Sequence, residues 1–148
     1  MGRHIFHQFI CSIALLICCW TVQAEGMSSA HLNYILHCQG CHLSDGAGTP
    51  GKIPALRQEV GRFLQVEGGR EFLIQVPGTA QSALSDNEVA GVLNWILDNF
   101  SPAELPADFV PYTTEEITRH RQPLANVATV RKGLVAQLST TGTNALLE

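Results

Sequence analysis

Apolar positions recur with helical spacing along most of the chain, most clearly between residues 85 and 100. There Val89, Val92, Leu93 and Ile96, with Trp95 and Phe100 beside them, make a wide stripe suited to burial against another helix. Ser85-Asp86-Asn87-Glu88 opens that helix with a capping box. Upstream, Leu32, Ile35 and Leu36 are spaced for one face of a helix over Ser28 to His37. Shorter helices are predicted around Arg57 to Gln65 and Gly69 to Val76, the second carrying Phe72, Leu73 and Val76 at i, i+1 and i+4. Downstream, Leu124, Val127, Val130, Leu134 and Leu138 keep helical spacing behind another capping box, Thr113-Thr114-Glu115-Glu116, and residues from Ser139 onward read as a frayed end.

Glycine and proline divide these helices. Leu43 to Leu56 holds Gly46, Gly48, Pro50, Gly51 and Pro54, a loop that hugs a neighbour, with Ile53 and Leu56 as apolar anchors. Val76 to Leu84 reads as loop. Three prolines in Ser101 to Pro111 mark the boundary of a first domain. The predicted organisation is therefore a domain over 25–100, a Pro-rich linker over 101–112 and a helical extension over 113–148. The apolar face of that extension should dock on the domain or on a partner.

The first 24 residues have the parts of a secretory signal. Arg3 and the amino terminus give positive charge, Phe9 to Trp20 an apolar core too short to span a bilayer, and Val22-Gln23-Ala24 a small-residue cleavage site. Cys18 and Cys19 raise lipid attachment as a rival, but Ile17 stands where such sites want a small residue. Removing 24 of the 148 residues leaves 124, enough for one core, and takes Arg3 with it, so the formal charge goes from −4 to −5. A mildly acidic chain without a basic cluster gives no reason to expect nucleic acid, and no membrane span is expected after cleavage.

The chemistry lies in Cys38-Gln39-Gly40-Cys41-His42. Two thiols three residues apart, followed at once by an imidazole, are the attachment pattern of a c-type haem. On a short helical turn Cys38 and Cys41 can reach the two vinyl groups of one porphyrin edge, while His42 swings beneath the ring to the iron. C-x-x-C also serves as half a zinc site or as a dithiol redox centre. Of the five cysteines only these two lie outside the signal, too few for a thiolate zinc site, and a helix rather than a βαβ strand precedes them. Covalent haem attachment takes place outside the bacterial cytoplasmic membrane, so motif and signal agree on the periplasm.

Over roughly Met27 to Phe100 the chain resembles the class I cytochrome c family. The likeness rests on the motif at the end of a first helix, Asp45-Gly46-x-Gly48, Ile53-Pro54-x-Leu56, and the Leu84-Ser85-Asp86-x-Glu88 start of a last amphipathic helix. It implies a small all-α fold wrapped around one covalent haem c, with first and last helices crossing. It also implies that the Pro54 carbonyl receives the Nδ1 proton of His42, leaving Nε2 for iron.

The chain departs from the family at the sixth ligand. Class I cytochromes usually supply a Met from the loop before the last helix; here the only methionines are Met1 and Met27, and that loop begins Val76-Pro77-Gly78. Three outcomes remain: five-coordinate iron with an apolar pocket near Val76, an exogenous ligand, or a second His. His37 adjoins Cys38 on the proximal side and His31 lies two turns earlier, which leaves His120 as the histidine with enough chain to reach the far face, and Met27 beside it.

The functional expectation is a periplasmic one-haem protein passing single electrons, received from a periplasmic dehydrogenase. The alternatives are a haem-based module binding or sensing a small ligand at an open distal site, and a haem subunit of a larger oxidoreductase. No enzymatic constellation is visible. Glu115 and Glu116 suit a helix start, no G-x-S-x-G occurs, and no distal acid and base for peroxidase chemistry are evident.

Overall fold

The computed structural model describes residues 27–140. The signal expected over residues 1–24, with Cys11, Cys18 and Cys19, and the residues beyond Thr140 lie outside the described residues. Within them the fold is helical: α1 (Ser29–His37), α2 (Gln39–His42), a 3-10 turn (Val60–Gln65), α3 (Gly69–Gln75), α4 (Pro77–Ala80), α5 (Asp86–Phe100), a second 3-10 turn (Pro102–Glu104), α6 (Thr114–His120) and α7 (Val127–Thr140). Among these residues no helix is long and apolar enough to cross a membrane.

Helix α5 is the axis of the core. Its capping box is complete, Ser85 Oγ accepting from Glu88 N–H and the Glu88 carboxylate accepting from Ser85 N–H at 2.8 Å. It buries Val89, Ala90, Val92, Leu93, Ile96 and Leu97, the last fully. α1 packs across it through aromatic rings. His31 stacks on Trp95 at 4.6 Å between centroids, and Tyr34 meets Trp95 at 5.0 Å and Phe100 at 5.1 Å. The expected apolar face of α1 is thereby corrected. Leu32 and Leu36 are 43% and 66% exposed, because the large rings one position earlier and two positions later than Leu32 take the seat against Trp95.

The helix expected from Arg57 starts only at Val60, as a tighter 3-10 turn. Gln58 sits at φ +61 with its N–H bound to the Phe100 carbonyl at 2.7 Å, and that backbone cannot continue into a right-handed helix. In the segment read as loop after Val76, Pro77–Ala80 forms one helical turn, begun by a proline whose ring presets φ.

The Pro-rich stretch and the tail join the same core. Ser101 is fully buried, its Oγ accepting from Gly61 N–H at 3.0 Å and donating to Glu104 at 2.8 Å. Asn94 on α5 pairs with both main-chain groups of Tyr112, at 2.8 and 3.0 Å, and the Tyr112 hydroxyl donates to the Arg70 carbonyl at 2.9 Å. Arg70 forks onto the Glu116 carboxylate, donates to the Val110 carbonyl and lies over the Tyr112 ring at 4.2 Å. Ile117, Leu134 and Leu138 are buried, while Val130 stays at the surface. The extension thus spends its apolar face on its own domain. Its capping box is only half made: Thr113 accepts from Glu116 N–H at 3.3 Å, but the Glu116 side chain is drawn away to Arg70.

Candidate functional site

Helix α1 ends at Cys38, whose φ of −122° offsets it from the single turn α2. The turn is closed by Cys41 and His42 N–H bonds to the Cys38 carbonyl, at 3.2 and 3.0 Å. Tyr34, buried beneath, donates its hydroxyl to the Leu43 carbonyl and so pins the residue that follows His42. Burial pushes the Tyr34 hydroxyl up to about 12 and keeps it a donor. Cys38 and Cys41 are free thiols, Cys38 half-buried and Cys41 exposed. Burial, and then the Cys41 thiol beside it, pushes the Cys38 thiol up to about 11. That is opposite to the lowered thiol of a dithiol redox centre. Among the described residues no three His, Cys, Asp or Glu side chains converge as metal ligands.

His42 Nδ1 lies 3.1 Å from the Pro54 carbonyl. A carbonyl only accepts, so Nδ1 carries the proton and Nε2 the lone pair. Burial lowers the His42 pKa, and the Pro54 bond opposes part of that shift. The loop that delivers Pro54 is built on its own main chain. Thr49 and Ile53 exchange two bonds of 2.8 Å, and Gly48 N–H reaches the His42 carbonyl at 3.1 Å. Gly48 is at φ +65, and a Cβ there would stand 2.4 Å from the Ile53 carbonyl oxygen and 2.6 Å from that of Pro54. Only glycine lets those carbonyls come so close to the motif. Gly46 is bare for a similar reason, the Phe100 ring lying 2.9 Å from where its Cβ would be.

The other candidates are dispersed. His31 is stacked on Trp95 and His37 is exposed at the end of α1. Met27 is exposed just before α1. His120 is the last residue of α6, beside Glu116, on a helix that packs on α3 and α5 rather than on α1 or α2. The structure therefore joins Cys38, Cys41, His42 and Pro54 in one site, while His120 stands at the end of α6, next to Arg121.

No protein-family model matches the chain. Two proteins named cytochrome c-552, both from Thermus thermophilus, are each 35% identical to it over 102 residues. The match covers 57% of this chain and 78% and 69% of the two relatives. The chain belongs to the class I cytochrome c family. It is a small electron-carrying cytochrome rather than an enzyme, with covalently bound haem c and redox proteins as partners.

The cytochrome's own residues fit that cofactor. Two unpaired thiols stand one helical turn apart, and the imidazole between them and the glycine loop has its Nδ1 occupied. Sequence reasoning placed these side chains but passed over Tyr34 and Arg121. Tyr34 lies off the Leu32, Ile35 and Leu36 face that periodicity picks out, and Arg121 had no signal at all, since most of its partners are main-chain carbonyls some forty residues away.

Proposed function

We propose that the cytochrome is a periplasmic one-haem carrier that takes electrons singly from a periplasmic dehydrogenase. In this reading residues 1–24 are the export signal, residues 25–100 form the haem domain, and 113–148 are an extension bracing it through the 101–112 connection. Cys38 and Cys41 tether the porphyrin by thioether bonds, His42 is the proximal iron ligand through Nε2, and Pro54 orients it. The observation that carries the reading is the 3.1 Å approach of His42 Nδ1 to the Pro54 carbonyl, which selects the ligating tautomer and fixes the ring before iron is engaged. Bound haem supplies the one-electron iron couple. The chain's part is to hold its edge at the surface, where exposed Leu36 and Leu43 flank the motif and offer a partner an apolar landing.

The absence of any methionine after Met27 favours a distal site that is open or filled from outside. It also supports a second reading, a haem-based module that captures a small ligand. The test is the optical spectrum of the secreted protein, oxidised and reduced, with carbon monoxide added to the reduced form, alongside reduction by candidate periplasmic dehydrogenases. The expected result is high-spin iron that takes up carbon monoxide, a spectrum unchanged in His120→Ala, and rapid single-electron reduction by a dehydrogenase. Low-spin bands indifferent to carbon monoxide, turning high-spin only in His120→Ala, would assign the sixth position to His120. Ligand capture with sluggish electron exchange would give the sensing reading first place.

A further inference from the structure

Helices α1 and α6 both pack on α5, and an open cleft of about 430 Å³ lies between their first turns. One of its walls is pinned at both ends. Asn94 pairs with the Tyr112 main chain at 2.8 and 3.0 Å, and the Thr114 hydroxyl donates to Asn87 Oδ1 at 3.2 Å. The stretch from Tyr112 to Glu115 is thereby fixed against α5, so a ligand would meet a site already shaped.

The floor of the cleft is apolar and its edge is acidic. Ala30, buried Ala90 and Gly91 make the floor, where α1 and α5 come so close that a Cβ on Gly91 would stand 4.0 Å from that of Ala30. Glu88 and Glu115 are exposed at the edge, and the described lining holds no Lys, Arg or His. The Ser85 hydroxyl and N–H hold the Glu88 carboxyl below its ordinary value, and the Glu115 N–H and the Thr113 hydroxyl do the same for Glu115, so both are ionised at neutral pH. The starts of α1, α5 and α6 each bring about half a positive charge at most, which the two full carboxylates outweigh. Between floor and edge stand groups with bonding capacity to spare: no described residue takes up the Asn33 side-chain amide or the Ser29 hydroxyl. Asn33 Oδ1, Ser29 Oγ and a carboxylate are acceptors suited to the three N–H donors of an ammonium group. An anion would be repelled, and a wholly apolar ligand would strand the amide.

We propose that this cleft is a binding site for an alkylammonium group, with the chain over Ala30, Ala90 and Gly91 and the ammonium end among Asn33 and the two carboxylates. Free primary amines carry such a group, and so do the lysine side chains of a partner protein. The lining includes none of Cys38, Cys41, His42 or Pro54, so the site stands apart from haem attachment and does not depend on which protein reduces the cytochrome. By touching α1 and the start of α6 together, a bound amine ties the helix that leads into the haem motif to the C-terminal extension.

The test titrates the secreted, haem-loaded protein, reduced and under carbon monoxide to keep the iron diamagnetic, with n-butylammonium chloride, and follows amide signals by NMR. Saturable shifts at Asn33, Asn87 and Asn94 are expected, with a Tm that rises with amine concentration. Butanol, of equal chain length but uncharged, should move none of them. The double variant Glu88→Gln/Glu115→Gln keeps side chains that serve at a helix start and removes both charges, and should weaken butylammonium binding roughly tenfold. Glu67→Gln/Asp108→Asn makes the same change in net charge at exposed positions outside the cleft and should bind like wild type. A second titration uses a short capped peptide with one central lysine. Tighter binding of the peptide would make a partner's lysine the natural occupant, and tighter binding of butylammonium a free amine. Silence with both probes, shifts that butanol reproduces, or a Glu88→Gln/Glu115→Gln protein that binds no more weakly than Glu67→Gln/Asp108→Asn would overturn the proposal.

Discussion

Between residues 42 and 58 the chain is held by its own main chain, whereas between 110 and 121 it is held by side chains reaching across the fold. In the first region Gly48 N–H meets the His42 carbonyl, Leu56 and Arg57 N–H share the Gly46 carbonyl at 2.7 and 3.1 Å, and Thr49 pairs with Ile53. In the second, Arg70, Asn94 and Arg121 supply the long-range bonds. Main-chain bonds over a dozen residues depend on local backbone shape and tolerate most side chains, so the cost of error concentrates at the few positions where shape is unusual. Side-chain clamps concentrate it in single guanidinium groups. The haem loop is therefore vulnerable at glycine, and the tail at arginine.

The largest effect should come from Gly48→Val. A branched side chain at φ +65, with its Cβ 2.4 Å from the Ile53 carbonyl oxygen, has to displace main chain. The strain and clash should cost about 3 kcal/mol or more. Because the displaced carbonyls include that of Pro54, the loss extends to the His42 ring. A lowered Tm together with an altered haem spectrum is the expected signature. A lowered Tm with an unchanged spectrum would show that the Pro54 carbonyl can keep its place while the loop shifts.

Arg70→Met should come next, with an effect of a different kind. It removes the fork to Glu116, the bond to Val110 and the contact over Tyr112, and leaves Glu116, 20% exposed, without its counter-charge. Roughly 2 kcal/mol is expected, reduced from that of a fully buried pair because water reaches both partners. The haem spectrum should not change. The same pair sets a pH dependence. The Arg70 hydrogen bond holds the Glu116 carboxyl below its ordinary value, so its folded pKa is lower than its unfolded one. The associated stability is present above the ordinary carboxylate range and is lost as pH falls through the folded value. Wild type should accordingly lose more Tm than Glu116→Gln between about pH 6 and about pH 3.

That contrast also explains what could be read from the sequence. The haem motif, the Gly46 and Gly48 loop and the Ser85 capping box depend on residues within a few positions of one another, and local spacing is legible. The stripe of α5 was legible because fifteen residues of regular period bury one broad face. α1 is only nine residues long, and there periodicity picked out Leu32 and Leu36 while ring stacking on Trp95 chose His31 and Tyr34. At Thr113 the capping pattern was legible but its competitor was not, since Arg70 lies 46 residues from Glu116. The five bonds of Arg121 span 35 to 41 residues and end mostly on carbonyls, which every residue possesses, so no pattern of residue types announces them.

The smallest effect expected is that of Arg57→Gln, although Arg57 makes an ion pair of 2.9 Å inside the haem loop. Arg57 and Asp45 are each about half exposed, at 53% and 52%, so solvent and salt screen their attraction. The loop does not need the pair. Arg57 N–H already bonds the Gly46 carbonyl, and Asp45 Oδ1 already accepts from Ala47 N–H at 3.1 Å. Stability should stay within about 0.5 kcal/mol of wild type, with the haem spectrum and carbon monoxide binding unaltered. A loss above about 1 kcal/mol that disappears in high salt would mean that the haem loop, like the tail, depends on a guanidinium clamp, and the division between the two regions would have to be redrawn.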